Sequence, residues 1–377
     1  MDRHPERMQS DRSLTFAPRM LVSLLRNALW GVPLSGETFE KATPEDWEET
    51  KILARRGGVS ALVFHAAMQL PEALLPSLQL KLKWGLEAEN TIERFRHQEK
   101  TARELSAFFH KAGIRMLTIK GLGIARYYPR PELRECGDID IWLFGQGEKG
   151  NRLIADSGRD IDTSNPKHSV FSFDGVLIEN HHTFLDEALY GMDRRLDKIL
   201  THILEKQACN RSEEGGDGIY FPPADFNALF LIRHAAMHFT GGISLRHVTD
   251  WAMFLDREAG NIDRERVNRI LHGEKLDKFA GILTAIACCY LGLSPEKAII
   301  PCEPYREEAG KVLADMMREQ PACKNRNPLS ILAFKVRHFT DTQWRYRIVY
   351  GRFSFPGRVW MSVKAHILRP ETILKTK

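Results

Sequence analysis

The sequence predicts an α+β fold: a small mixed sheet flanked by N-terminal helices and a larger C-terminal helical domain. Three observations carry that reading. Apolar residues repeat at helical spacing up to residue 112, the period becomes that of strands after Gly113, and it turns helical again after Phe184. Within the middle stretch, Asp174-Gly175 separates two alternating runs, as in a tight hairpin. The return to helices after Phe184 is long enough to form a domain of its own. The expected segments are a helical region 1–112, an α/β core 113–184, a helical domain 185–323 and a basic, aromatic-rich helical tail 324–377.

The elements follow in order. Met20, Leu21, Leu24, Leu25, Ala28 and Leu29 share one helical face over 19–30, and the pattern stops near Gly31. Thr43-Pro44-Glu45-Asp46 reads as a helix start, with a Thr cap, Pro in the first turn and acids facing the positive helix end. Helices are expected over 47–56, 60–68 and 77–110, the last closing at Ala112-Gly113. Residues 115–120 read as a strand, 121–128 as a short helix, 129–137 as a turn-rich loop, 138–144 as a strand and 151–157 as a helix. The hairpin arms, 168–173 and 176–181, complete a unit of about four strands. Beyond Phe184 everything reads helical: 185–206, 223–240, 243–258, 263–273, 277–292 and further helices after 303.

Composition narrows the setting. With 43% hydrophobic and 27% charged residues, the 377-residue chain can bury a substantial core and is not a disordered one. The six cysteines, at 136, 209, 288, 289, 302 and 323, form no Cys-x-x-Cys pair, against a disulfide framework or zinc knuckle and in favour of a reducing cytoplasm. Residues 1–19 read as no secretory signal, and the longest apolar stretch, 281–293, is too short for a membrane span. The net charge of +5 is uneven, because 324–377 carries +10 and the remainder −5. Basic residues alternate there with Phe334, Phe339, Trp344, Tyr346, Tyr350, Phe353, Phe355 and Trp360. Such a surface suits nucleic acid, an anionic membrane surface or an acidic partner; it also suits the outer face of a packed helical hairpin.

The chemistry concentrates in the middle segment. Asp138 and Asp140 stand one residue apart in an apolar run, so a strand projects both to one face. Asp is depleted in strands, and two side by side suggest a hard cation such as Mg²⁺. Glu179, in the second hairpin arm, supplies a third carboxylate. Alternation puts Leu177, Glu179 and His181 on one face, with Leu177 towards the covered end. The Lys120-Gly121 turn can hold phosphate, and Arg134, just before the acids, can reach one with its fork of donors. His234 and His238, at i and i+4, lack the Glu of a zinc protease; they read either as structural histidines or as polar residues facing the cleft. His181 reads either as a core or interface histidine or as a support of the metal cluster, and Arg246, His247 and Asp250 can reach the cleft as well.

A strand ending in Lys120-Gly121, a short helix ending in Tyr128, then Arg134 and Gly137-Asp138-Ile139-Asp140-Ile141 together resemble the nucleotidyltransferases of the DNA polymerase β superfamily. The likeness is nearest to its largely uncharacterised bacterial family with the pattern Lys-Gly, Tyr, Arg, Asp-x-Asp, and it covers about 114–182 well. The later Leu245-Arg246-His247-Val248-Thr249-Asp250-Trp251 also resembles that family's helical part. The resemblance implies that Asp138, Asp140 and Glu179 hold two Mg²⁺ ions and that Lys120 and Gly121 meet the β and γ phosphates of a nucleoside triphosphate. It departs from better-known members in having Lys-Gly for Gly-Ser, a longer gap to the first Asp, and Glu as third acid. The expected reaction transfers a nucleoside monophosphate to a hydroxyl-type acceptor with release of pyrophosphate. The alternatives are an enzyme adding nucleotides to RNA and a non-catalytic regulatory partner, as in a toxin–antitoxin pair.

Overall fold

A computed structural model describes residues 14–185, 191–211, 218–318 and 327–351, with Gly357 and Val359. Most of the basic tail beyond Gly351 therefore lies outside the described residues, as do 186–190 at the start of one expected helix.

Among the described residues four α-helices come first: α1 (Phe16–Trp30), α2 (Pro44–Arg56), α3 (Ser60–Ala67) and the long α4 (Leu78–Lys111). Their ends are written in the sequence. Gly31 closes α1 in the left-handed region, at φ 67°, with its N–H on the Asn27 carbonyl. Thr43 and Asp46 form a reciprocal capping box on α2, with Pro44 in the first turn. Ser77 caps α4 by accepting from the Leu80 N–H.

The sheet follows, with short helices between its strands. β1 (Met116–Thr118) leads through α5 (Leu122–Ala125) to β2 (Ile139–Trp142), then α6 (Gly147–Asp156), β3 (Ile161–Asp162), β4 (His168–Phe173) and β5 (Val176–His181). The hairpin between β4 and β5 turns on Asp174 (φ 50°) and Gly175 (φ 75°), as the Asp-Gly pair predicts. Among the described residues the expected four strands become seven, in the order β3-β4-β5-β2-β1-β7-β6. The helical reading after Phe184 is corrected by β6 (Asn210–Arg211) and β7 (Ile219–Phe221), which rejoins the sheet parallel to β1. Two- and three-residue strands carry too few alternating positions to show a period.

The remaining helices are α7 (Gly191–Lys206), α8 (Ala224–Gly241), α9 (Leu245–Glu258), α10 (Arg264–Gly273), α11 (Asp277–Ile286), α12 (Arg306–Met317), α13 (Pro328–Asp341) and α14 (Gln343–Tyr350). A π turn over Ala287–Leu291 continues α11. No described helix is long and apolar enough to cross a membrane.

The two sheet faces are covered differently. Ile139, Ile141 and Ile178 pack under α4 and α6 with Ala102, Leu105, Phe109 and Ile154. Full burial of each isoleucine, leucine or phenylalanine among them stabilises by about 1.5–3 kcal/mol. The opposite face carries the acids and turns towards the C-terminal helices, where Trp142 meets Phe184 and Phe184 meets Phe226 of α8. The N-terminal and C-terminal helices share one core. Trp30 Nε1 donates to the Leu291 carbonyl, tying α1 to the end of the π turn. α14 enters the same core through Val349 and Tyr350, and Trp344 packs edge-on against Phe239.

Candidate active site

Register brings the acids together. β2 and β5 run parallel with Asp140 directly beside Glu179, so both carboxylates stand on one face. Counting outward from the hairpin turn pairs His168 with His181, which brings a second imidazole to that face. Gly121 adopts φ 43°, and a Cβ there would stand 3.4 Å from the Asp138 carbonyl oxygen, so the Lys-Gly turn is fitted to the start of the acid strand.

Asp140 is the hub. Its Oδ1 lies 2.6 Å from Lys120 Nζ and 2.8 Å from His181 Nε2, and the side chain is 2% exposed. Burial alone would raise this carboxyl, but Lys120 and His181 outweigh it and hold it well below the usual carboxylate range. Burial would likewise lower the Lys120 ammonium, and Asp140 raises it instead. Glu179 Oε2 stands 3.4 Å from His181 Nε2, and that hydrogen bond leads in lowering its carboxyl. His168 Nε2 is 3.9 Å from the other Glu179 oxygen. Asp138 is half-buried and goes the other way. Burial first, then the negative charge of Asp140, pushes its carboxyl above the usual range.

The tautomer of His181 follows from its partners. Nδ1 lies 3.1 Å from the Thr183 carbonyl oxygen, which can only accept, so Nδ1 carries a proton. Nε2 is thereby turned to the two carboxylates, donating to them when protonated and offering a lone pair to a cation when not.

Arg134 lies elsewhere than the sequence suggests. Its Nε and Nη2 donate to the two Asp250 oxygens at 2.9 and 2.7 Å, and Tyr128 adds a hydroxyl to the same carboxylate at 2.7 Å. Both side chains are under a tenth exposed. The pair clamps the loop before β2 onto α9, and the guanidinium has no free fork for a phosphate. Asp250 is likewise a member of this clamp and not an open cleft residue. Leu177 also departs from expectation: it is 49% exposed, because the covered end of β5 is the His181 end and Leu177 sits near the hairpin turn.

His234, His238 and His247 converge at the junction of α8 and α9, their nearest nitrogens all within 4.8 Å of one another. The charges of Lys120 and Asp140 act on the His234 ring, so this cluster neighbours the acid site. His168 is the functional candidate that sequence reasoning missed, although its place opposite His181 was countable from the Asp-Gly turn.

No curated protein and no solved structure matches the chain. Over residues 43–292 it matches the family described as uncharacterised nucleotidyltransferase, and the match spans the Lys120-Gly121 turn, all three carboxylates, the clamp and the histidine cluster. The chain belongs to that nucleotidyltransferase family.

Proposed function

We propose that the chain is a Mg²⁺-dependent enzyme that moves a nucleoside monophosphate from a nucleoside triphosphate to a hydroxyl-type acceptor. The observation that carries this reading is the in-register pair Asp140–Glu179 with Lys120 Nζ 2.6 Å from Asp140. The donor set suits a hard divalent ion. Among the described residues, Asp138, Asp140 and Glu179 gather around the ammonium of Lys120, three carboxylates to one lysine. Asp138, Asp140 and Glu179 would hold two Mg²⁺ ions. When bound, these supply charge neutralisation at the triphosphate and at both the attacking and the leaving oxygens.

The side chains of the protein do the rest. Lys120 meets triphosphate oxygens from the strand side, and Gly121 allows the turn to approach them closely. Glu179, 20% exposed against 2% for Asp140, orients the acceptor hydroxyl. The acceptor oxygen forms a bond to the α-phosphorus as the bond from that phosphorus to the α–β bridging oxygen breaks. Pyrophosphate leaves with the electron pair, and the acceptor proton passes to Glu179 or water. Arg134 and Asp250 serve by holding the loop that delivers Asp138. For the RNA-directed alternative, support from the tail is reduced within the described part, where Trp344 and Tyr350 pack inward and Arg345 pairs with Asp315.

The test is incubation with each labelled nucleoside triphosphate, Mg²⁺ and either small hydroxyl acceptors or RNA. Pyrophosphate release that requires Mg²⁺ and Asp140 supports the reading. Its absence in every mixture, with unaltered triphosphate, would sink it.

A further inference from the structure

The three histidines at the α8–α9 junction come together through local chain geometry. His234 and His238 lie one turn apart near the end of α8. The chain then reverses through Gly242, at φ 115°, and Ser244. His247, in the first turn of α9, is thus returned to the same spot. Ring centroids are separated by 4.6 Å for His234–His238, 4.9 Å for His238–His247 and 5.4 Å for His234–His247.

Two of the rings are held in a definite orientation. His234 stacks on Phe230 one turn earlier, at 5.9 Å and 20°. His247 Nδ1 lies 3.3 Å from the Ser244 carbonyl and 3.0 Å from its hydroxyl. A proton on Nδ1 suits the carbonyl, and it leaves Nε2 as the basic nitrogen. Among the described residues, no hydrogen bond reaches the ring nitrogens of His234. No carboxylate belongs to the triad.

We propose that His234, His238 and His247 form a binding site for a divalent transition-metal ion of the Zn²⁺ class, separate from the carboxylate cluster and with one coordination position left open. Three imidazole nitrogens are the donor set that zinc takes at open sites, whereas Mg²⁺ requires oxygen. Nitrogens bound to one tetrahedral ion stand about 3.3 Å apart, so small rotations of the rings complete the site. The side of the triad at His238 is exposed, which leaves a path for the ion and for a further ligand. The inference does not rest on nucleotidyl transfer.

Co²⁺ is the probe, because its visible ligand-field absorption is strong in low-coordinate nitrogen sites. The metal-stripped full-length protein should develop that absorption on titration, and Zn²⁺ should bleach it. Dialysis against Zn²⁺ followed by elemental analysis should return a single tightly held ion per chain. His238→Ala, at an exposed position, should weaken Co²⁺ binding by about 100-fold or more with the fold unchanged by circular dichroism. Asp140→Asn should leave the Co²⁺ spectrum in place. Absence of the absorption, or absorption retained in His238→Ala and lost in Asp140→Asn, would overturn the proposal.

Discussion

Arg134 and Asp250 form a closed pair, whereas among the described residues Asp138, Asp140 and Glu179 share one ammonium, that of Lys120. In the clamp, one guanidinium meets one carboxylate with both oxygens engaged, and a tyrosine hydroxyl fills the remaining space. In the cluster, Lys120 lies closest to Asp140, and its weaker pull on Asp138 leaves that carboxyl raised by burial and by the Asp140 charge. Both groups hold buried charge: Arg134 and Asp250 are under a tenth exposed, and Asp140 is 2% exposed. The difference is balance: a matched pair holds a fold together, and an unmatched set attracts a ligand.

The largest expected effect lies on the unmatched side. Asp140→Asn keeps the size of the side chain and its contacts to Lys120, yet removes a charge that the proposed metals require. Pyrophosphate release per folded molecule should fall by about 10³-fold, whereas the melting temperature drops only as far as losing the Lys120–Asp140 ion pair requires. A fall of less than tenfold would place Asp140 among the merely structural acids.

The clamp should show the opposite pattern. Arg134→Met leaves a buried carboxylate without its partner and should cost about 3–5 kcal/mol in denaturant unfolding. Activity per folded molecule should change less than tenfold, because the loop retains its other anchors: Arg246 donates to the Glu135 carbonyl, and Ser60 N–H donates to the Glu135 carboxylate. Were Arg134 a phosphate donor, activity would drop with stability preserved.

Acid should act through the same pair. Burial would raise the Asp250 carboxyl, but Arg134 holds it below the usual range. The unfolded chain therefore binds a proton here more readily than the folded one, and stability rises with pH across the interval between the two values. The contribution is complete above the ordinary Asp pKa of about 3.9 and is lost as pH falls through the folded value. Asp250→Asn should flatten that part of the urea-midpoint profile, and the gap between parent and variant should narrow as pH falls. A gap that widened towards acid would contradict the pairing.

Much of this arrangement could be read from the chain because its carriers are local. Thr43, Ser77, Gly31 and Asp174-Gly175 act within a few residues, and Asp138, Asp140 and Glu179 depend only on strand alternation. What could not be read were partners. Nothing near Arg134 in sequence distinguishes a phosphate from an aspartate 116 residues away. β7 was hidden for a related reason: its three residues become a strand through their partners, β1 on one side and β6 on the other. His247 stands nine residues beyond His238, and its role depends on the reversal at Gly242, which periodicity does not report.

Leu177 offers the smallest effect and a sharp one. It shares a face with Glu179 but is 49% exposed, two residues towards the open end of β5. If charge balance around Asp140 is what makes the site, Leu177→Ser should change unfolding free energy by no more than about 0.5 kcal/mol, as for other exposed positions. The rate with a small acceptor should stay within twofold, because the substitution adds no charge and removes no ligand. A larger loss with a bulky acceptor than with a small one would instead extend the acceptor surface along β5 to the hairpin turn. The ratio of KM values for the two acceptors, parent against variant, separates these outcomes, and a ratio that does not move confines the site to the Lys120–Asp140–Glu179 end of the sheet.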